Sequence, residues 1–251
     1  MFHMDPTFFG LAIPAVLFAG VSKAGFGSGA AFASAAILAL ILDPGQALGV
    51  MLPLLMLIDV ASLRAYWRQW SLRDAGLLII GGLPGVACGA ALYHVADADL
   101  IRILIGAIAL LFVVWQIAQR RGLIRPAARR LPGWAGLLAG VVTGFTSFVS
   151  HAGGPSAAAY LLSQGLDKTR FQATSVITFW ALNLAKFGPY AALGLFTPQT
   201  AWANLILAPV ALAGTWLGVR AHRVVPERLF FAITYVLLTL TGLRLIWVGV
   251  A

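Results

Sequence analysis

Charge is the scarcest property of this chain. Of 251 residues only 10% are charged and eight are acidic, where a soluble domain carries about a quarter charged residues. One cysteine, Cys88, lies inside an apolar stretch, so no disulfide framework can form. No Cys/His/Asp/Glu cluster has metal-ligand spacing and no phosphate-loop motif appears, so neither a metal nor a cofactor is expected. Alternating β-barrel patterning is absent as well. No soluble domain is present in which ATP would bind, and the opening "MFHMDPT" lacks a basic n-region, so the first hydrophobic segment is expected to be retained.

What fills the chain is apolar. Hydrophobic residues make up 61% and the mean hydropathy is +0.92. Runs such as "DAGLLIIGGLPGVACGAALYHV" and "LFFAITYVLLTLTGLRLIWVGV" are long enough to cross a hydrocarbon core of about 30 Å. Twelve prolines and 27 glycines suit membrane helices, which tolerate both. The pattern predicts an all-α polytopic membrane protein. Its net charge of +9 sits in short loops between spans, which reads as topology rather than nucleic-acid binding. The bilayer is the expected partner, association with further copies of the chain is compatible with it, and the expected location is a bacterial inner membrane.

Apolar segments fall at 7–21, 28–42, 46–64, 72–94, 99–119, 133–149, 154–165, 171–194, 199–220 and 226–250. One linker stands out, "QRRGLIRPAARRLPG", with five arginines and two prolines. It divides the chain into a first repeat at 1–119, a basic linker at 120–132 and a second repeat at 133–251. Each half opens with two short pieces around a glycine-rich break, "SKAGFGSG" and "TSFVSHAGGP". A segment with polar residues at depth follows, carrying Asp59 in one half and Asn183 with Lys186 in the other. Next come small-xxx-small steps, Gly85 to Gly89 and Gly214 to Gly218, which let helices approach closely.

Loop charge sets the expected orientation. Arg64, Arg68 and Arg73 and the central linker read as cytoplasmic, as do Arg220, Arg223 and Arg228. The 95–99 and 191–200 loops read as outside. Equivalent loops then face opposite sides, which fits two inverted repeats, each a broken or re-entrant helical hairpin plus three transmembrane helices, with both termini outside. Tryptophans 67, 70, 202 and 247 read as interface belts, and Arg244 as snorkelling.

Paired glycine-interrupted segments in inverted halves point to a transporter's binding site. A helix broken at depth leaves unpaired N–H groups and a positive end, which attract anions. Ser22, Lys23, Gly25, Gly27, Ser28 and Gly29 supply this in the first break. Thr146, Ser147, Ser150, His151, Gly153 and Gly154 supply it in the second, with Pro155 suited to a first helical turn. Lys23 reads either as a ligand or as an interfacial, snorkelling residue. Lys186 lies well inside a span with Asn183 one turn before it, on the same face, and an intramembrane lysine is a functional candidate. Asp59 reads as a counter-charge, a proton carrier or a helix-end carboxylate, and His151 as a ligand, a second proton carrier or a packing residue. Thr174 and Ser175 add hydroxyls, or simply bond back to their own helix.

A different class of function also fits part of the pattern. Ser147 and Ser150 beside His151 suggest an intramembrane serine hydrolase, but neighbours in sequence rarely aim a base at a nucleophile, and no G-x-S-x-G elbow exists.

The two breaks, "GVSKAGFGSGAA" and "GFTSFVSHAGGPSAAAYLL", together with "FQATSVITFWALNLAKFGPYAALG" and the two-half plan, resemble the TauE/SafE family of sulfite exporters over essentially the whole chain. The resemblance implies a permease rather than an enzyme, moving sulfite or a small organosulfonate outward. It also implies Lys23, Gly27, Gly29, Gly153, Gly154, Thr174, Ser175, Asn183 and Lys186 as site residues. Where the family usually runs three glycines, this chain has Ser28 between Gly27 and Gly29, then Ala30 and Ala31, whose Cβ atoms restrict backbone approach to a ligand. The rival transport reading is proton- or sodium-coupled uptake of another small solute.

A reporter that fluoresces only in the cytoplasm tests the orientation. Inserted after Gly122 it should light up, and inserted in the 191–200 loop it should stay dark. The reverse pattern contradicts the assignment.

Overall fold

The computed structural model describes residues 5–25, 31–123, 130–221 and 227–251, apart from the side chains at 221, 227–231 and 233. The described residues form ten helices and no strand. In chain order these are α1 (Pro6–Gly25), α2 (Ala33–Leu38), α3 (Pro44–Ala65), α4 (Leu72–Val95) and α5 (Ala98–Arg120). The second half repeats the series as α6 (Gly133–Ser150), α7 (Gly154–Ser163), α8 (Lys168–Ala192), α9 (Pro198–Ala221) and α10 (Glu227–Val250). Six of them, α1, α3, α4, α5, α6 and α9, are long and apolar enough to cross a membrane. The chain is therefore an all-helical, multi-pass membrane protein.

Starts and stops follow local chemistry. Ser71, Asp97 and Asp167 cap α4, α5 and α8 through side-chain oxygens that accept N–H groups of the first turn. Of the segment expected at 28–42, residues 31–42 are described, and these are helical over Ala33–Leu38. It ends early because Asp43 precedes Pro44 and is held extended, so the chain must turn before α3 can begin.

The short helices fold back on their predecessors. Thr143 and Ser156 hydroxyls lie 2.8 Å apart, and Gln164 Nε2 donates to the Leu131 carbonyl at 3.2 Å. Those contacts run α7 antiparallel to α6 and return the chain to the end where α6 began. In the first half Ser34 Oγ donates to the Ala15 carbonyl at 2.6 Å. Phe8 and Ala12 of α1 share one core with Ala35, Ala39 and Leu42. Hence α2 returns along α1 in the same way.

The most extensive contacts between elements recur when the halves are exchanged. The α1 helix lies along α9 as α6 lies along α4, α3 touches α9 as α8 touches α4, and the pairs α3–α8 and α5–α10 join the halves. Glycines make the long contacts possible. A Cβ on Gly20 would meet the Gly214 backbone at 2.8 Å, and one on Gly25 the Gly218 carbonyl at 2.6 Å. On the other side, Cβ atoms on Gly85 and Gly144 would collide with the Val141 and Gly82 carbonyls. Backbone meets backbone here, with no flexible side chain to give way. Each hairpin is thereby clamped to a helix of the opposite half.

Gly144→Ala should destabilise the protein by about 1–3 kcal/mol through overpacking. Gly76→Ala on α4 has open space around it and should be neutral or stabilising by about 1 kcal/mol. Thermal unfolding in detergent separates them, and equal shifts in Tm would count against the clamp.

Candidate functional site

Helices α3 and α8 meet between the hairpins, and each brings a polar residue to the meeting point. Asn183 Nδ2 donates to Asp59 Oδ2 at 2.8 Å, both side chains being buried. These two residues occupy corresponding places. Asp59 stands seven residues before Tyr66, and Asn183 seven before Tyr190. The Tyr66 hydroxyl donates to the Ala24 carbonyl near the end of α1 at 3.1 Å. The Tyr190 hydroxyl donates to the Phe148 carbonyl near the end of α6 at 2.6 Å.

The end of α1 reaches this point from one side. Lys23 Nζ pairs with Asp59 Oδ2 at 2.7 Å, with the Leu55 carbonyl at 3.5 Å and the Phe179 ring face at 5.9 Å. Gln172 Nε2 donates to the Lys23 carbonyl at 2.8 Å. Tyr66 and Gln172 thus satisfy two of the carbonyls that a helix end leaves open. Both members of the ion pair are buried, Asp59 completely, and Asp59 Oδ1 has no hydrogen-bond partner. The lysine expected either to bind ligand or to snorkel is engaged internally.

The end of α6 arrives from the other side. Lys186 is wholly buried, and its ammonium contacts the Ser147 carbonyl, Ser147 Oγ and His151 Nδ1, each at 3.0 Å. His151 closes α6 in the left-handed region at φ 57°, a conformation costing a non-glycine residue about 1–2 kcal/mol. That turn is held by His151 and Ala152 N–H groups donating to the Ser147 and Thr146 carbonyls, and it aims the imidazole at Lys186. His151 Nε2 is buried and has no hydrogen-bond partner among the described residues. Beyond the turn, α7 starts with no side-chain cap, which leaves N–H groups of its first turn open.

The expected residues therefore separate. Lys23, Asp59, Asn183, Lys186 and His151 come together. Gly153 and Gly154 form the turn beside them, where a Cβ on Gly153 would press on the Phe179 ring at 3.0 Å. Ser22 is buried with its hydroxyl unpartnered. Ser150 Oγ donates to the Thr146 carbonyl, so no Ser150–His151 couple forms. Ser175 is buried on the α8 stripe leading to Asn183. Thr174 lies elsewhere. It accepts from the Ser71 N–H at 2.9 Å and donates to the Arg170 carbonyl, tying the turn before α4 to α8. Gly27, Ser28 and Gly29 lie outside the described residues.

Tyr66, Gln172, Phe179 and Tyr190 hold the site together beside Ser147, and the sequence reading did not place those four there. Two signals were present. One is the shared spacing of Asp59 to Tyr66 and Asn183 to Tyr190. The other is the stripe Gln172, Ser175, Phe179, Asn183, Lys186, stepping by three and four residues along one helical face.

Polar cavities open toward both ends of α3. One of about 400 Å³ is lined by Asp43, Gln46, Arg102 and Arg244. Another of about 240 Å³, beyond the other end, is lined by Arg73, Arg130 and Arg170 together with Asp74, Asp167 and Gln164. Arg244, expected to snorkel, lines the first. Arg102 there pairs with Asp43 at 3.0 Å and with Asp99.

The sequence pattern of the family described as "Sulfite exporter TauE/SafE" matches residues 12–245 of the chain. No curated protein and no solved structure gives a significant match.

Removing one partner of a buried ion pair strands the other charge, at a cost of about 3–5 kcal/mol, whereas replacing both with apolar side chains of similar volume is often tolerated. Lys23→Met should therefore lower the unfolding midpoint sharply, and Lys23→Met with Asp59→Leu should recover most of the loss. A double variant no more stable than the single one contradicts the pairing.

Proposed function

The chain belongs to the sulfite exporter TauE/SafE family of membrane transporters, and we propose that it is a secondary permease moving a small oxyanion outward, sulfite or a small organosulfonate. One observation carries the reading. Lys186 is a completely buried lysine whose hydrogen-bond partners are the neutral groups of Ser147 and His151. Among the described residues no carboxylate lies within ion-pair distance of it. A buried cation without a counter-charge is costly, and a bound anion removes that cost.

Donors suited to oxyanion oxygens surround it. Lys186 donating to His151 Nδ1 selects the tautomer that carries its proton on Nε2, the nitrogen with no hydrogen-bond partner among the described residues. The uncapped start of α7 adds backbone N–H groups and the positive end of a helix. Lys186, His151, Gly153 and Gly154 form the core of the proposed site, with Ser22 and Ser175 as further hydroxyls. Export needs no obligatory coupling ion, because an inside-negative potential drives an anion outward by about 2.3 kcal/mol per charge per 100 mV.

We read the exchange symmetry of the packing as two inverted repeats, 1–119 and 133–251, joined by a cytoplasmic linker at 120–132. Alternating access then consists of the two clamped hairpins moving against α3 and α8, opening the site first toward one arginine-lined cavity and then toward the other.

Proteoliposomes loaded with labelled sulfite or methanesulfonate should release it far faster with the protein than without. Lys186→Met should reduce that release at least about tenfold, a loss of 1.4 kcal/mol or more. Wild-type flux from a folded Lys186→Met protein rejects the site.

A further inference from the structure

Resting on the anion-transport reading, we propose that Asp59 sets the valence of the transported species and holds the site to monovalent oxyanions.

The groups at the centre fix its charge. Lys23 and Asp59 pair at 2.7 Å and cancel. The ammonium of Lys186 has three N–H donors for the three acceptors around it. His151 accepts at Nδ1 and is neutral. One positive charge remains, that of Lys186, one helical turn along α8 from the Asn183 that bonds Asp59.

Among the described residues, no other charged side chain is paired with Lys23, Asp59 or Lys186. Of the helices packed on α3, α1 presents Lys23, and α8 presents Asn183 and Lys186. The α2 helix carries no ionisable residue. Arg102 of α5 is engaged with Asp43 at the far end of α3. Arg220, the only charged residue of α9, lies against Trp216 at that helix's last turn.

A buried centre with one net positive charge neutralises one negative charge, and a second stays uncompensated in a medium that solvates it poorly. Asp59 sets the limit through that sum. It cancels Lys23, so the centre has no second cation free to neutralise a second negative charge. Bisulfite and sulfonates carry one charge. Sulfate and thiosulfate carry two.

The test is competition against labelled methanesulfonate in proteoliposome counterflow. Bisulfite and unlabelled methanesulfonate should compete, and sulfate and thiosulfate should be at least about tenfold weaker. Asp59→Asn raises the net charge by one and should narrow that gap about tenfold or more. Lys23→Met combined with Asp59→Leu removes the pair at constant net charge and should keep the wild-type preference. Sulfate competing with the wild type as well as methanesulfonate does overturns the proposal, and so does an unchanged ratio in folded Asp59→Asn. The wild-type comparison decides the matter even if that variant fails to fold. If the wild type moves neither class of anion, the transport reading itself falls and the valence assignment falls with it.

Discussion

Charged side chains buried in a membrane-spanning bundle must find partners, and here that requirement organises the middle of the molecule. Asp59 accepts from Lys23 and Asn183 through a single oxygen. That atom joins α1, α3 and α8, three helices from both halves of the chain. Holding them in register falls to the glycine contacts of α1 on α9 and α6 on α4, where backbones touch. Polar centre and glycine clamps depend on each other, since a hairpin that drifted from its clamp would strand a charge away from water.

The two halves use one plan with different charges. Each hairpin end is fastened by a tyrosine hydroxyl from the helix that follows it, Tyr66 in the first half and Tyr190 in the second. In the first half the cation rides on the hairpin and meets a carboxylate. In the second it rides on α8 and meets the hairpin's neutral carbonyl, hydroxyl and imidazole. Asymmetry of charge laid over symmetry of backbone leaves Lys186 as the group with an unmet electrostatic need.

Much of this was legible in the residues. Long apolar runs gave the helices other than α2 nearly to their ends, because few segments compete with a membrane span of that length and hydropathy. The small-xxx-small steps at Gly85 and Gly214 marked contacts that the structure places between α4 and α6 and between α9 and α1. Lys186 and Asn183 were visible as polar residues at depth. Pairing was not legible. Nothing local to Lys23 says that its partner stands 36 residues away on α3, and nothing local to Thr174 says that it anchors a turn. The capping roles of Gln172 and Tyr66 were hidden for the same reason, because a helix end's open carbonyls are satisfied by whatever the fold brings near.

The central claim is that an oxyanion sits against Lys186 at the turn of the second hairpin. Locating a bound selenium analogue such as selenite by its anomalous scattering measures this most directly. The expected result is a single strong peak within hydrogen-bonding distance of Lys186 Nζ or His151 Nε2, lost in Lys186→Met. A peak confined to the arginine-lined cavities at the ends of α3, with none at Lys186, contradicts the account.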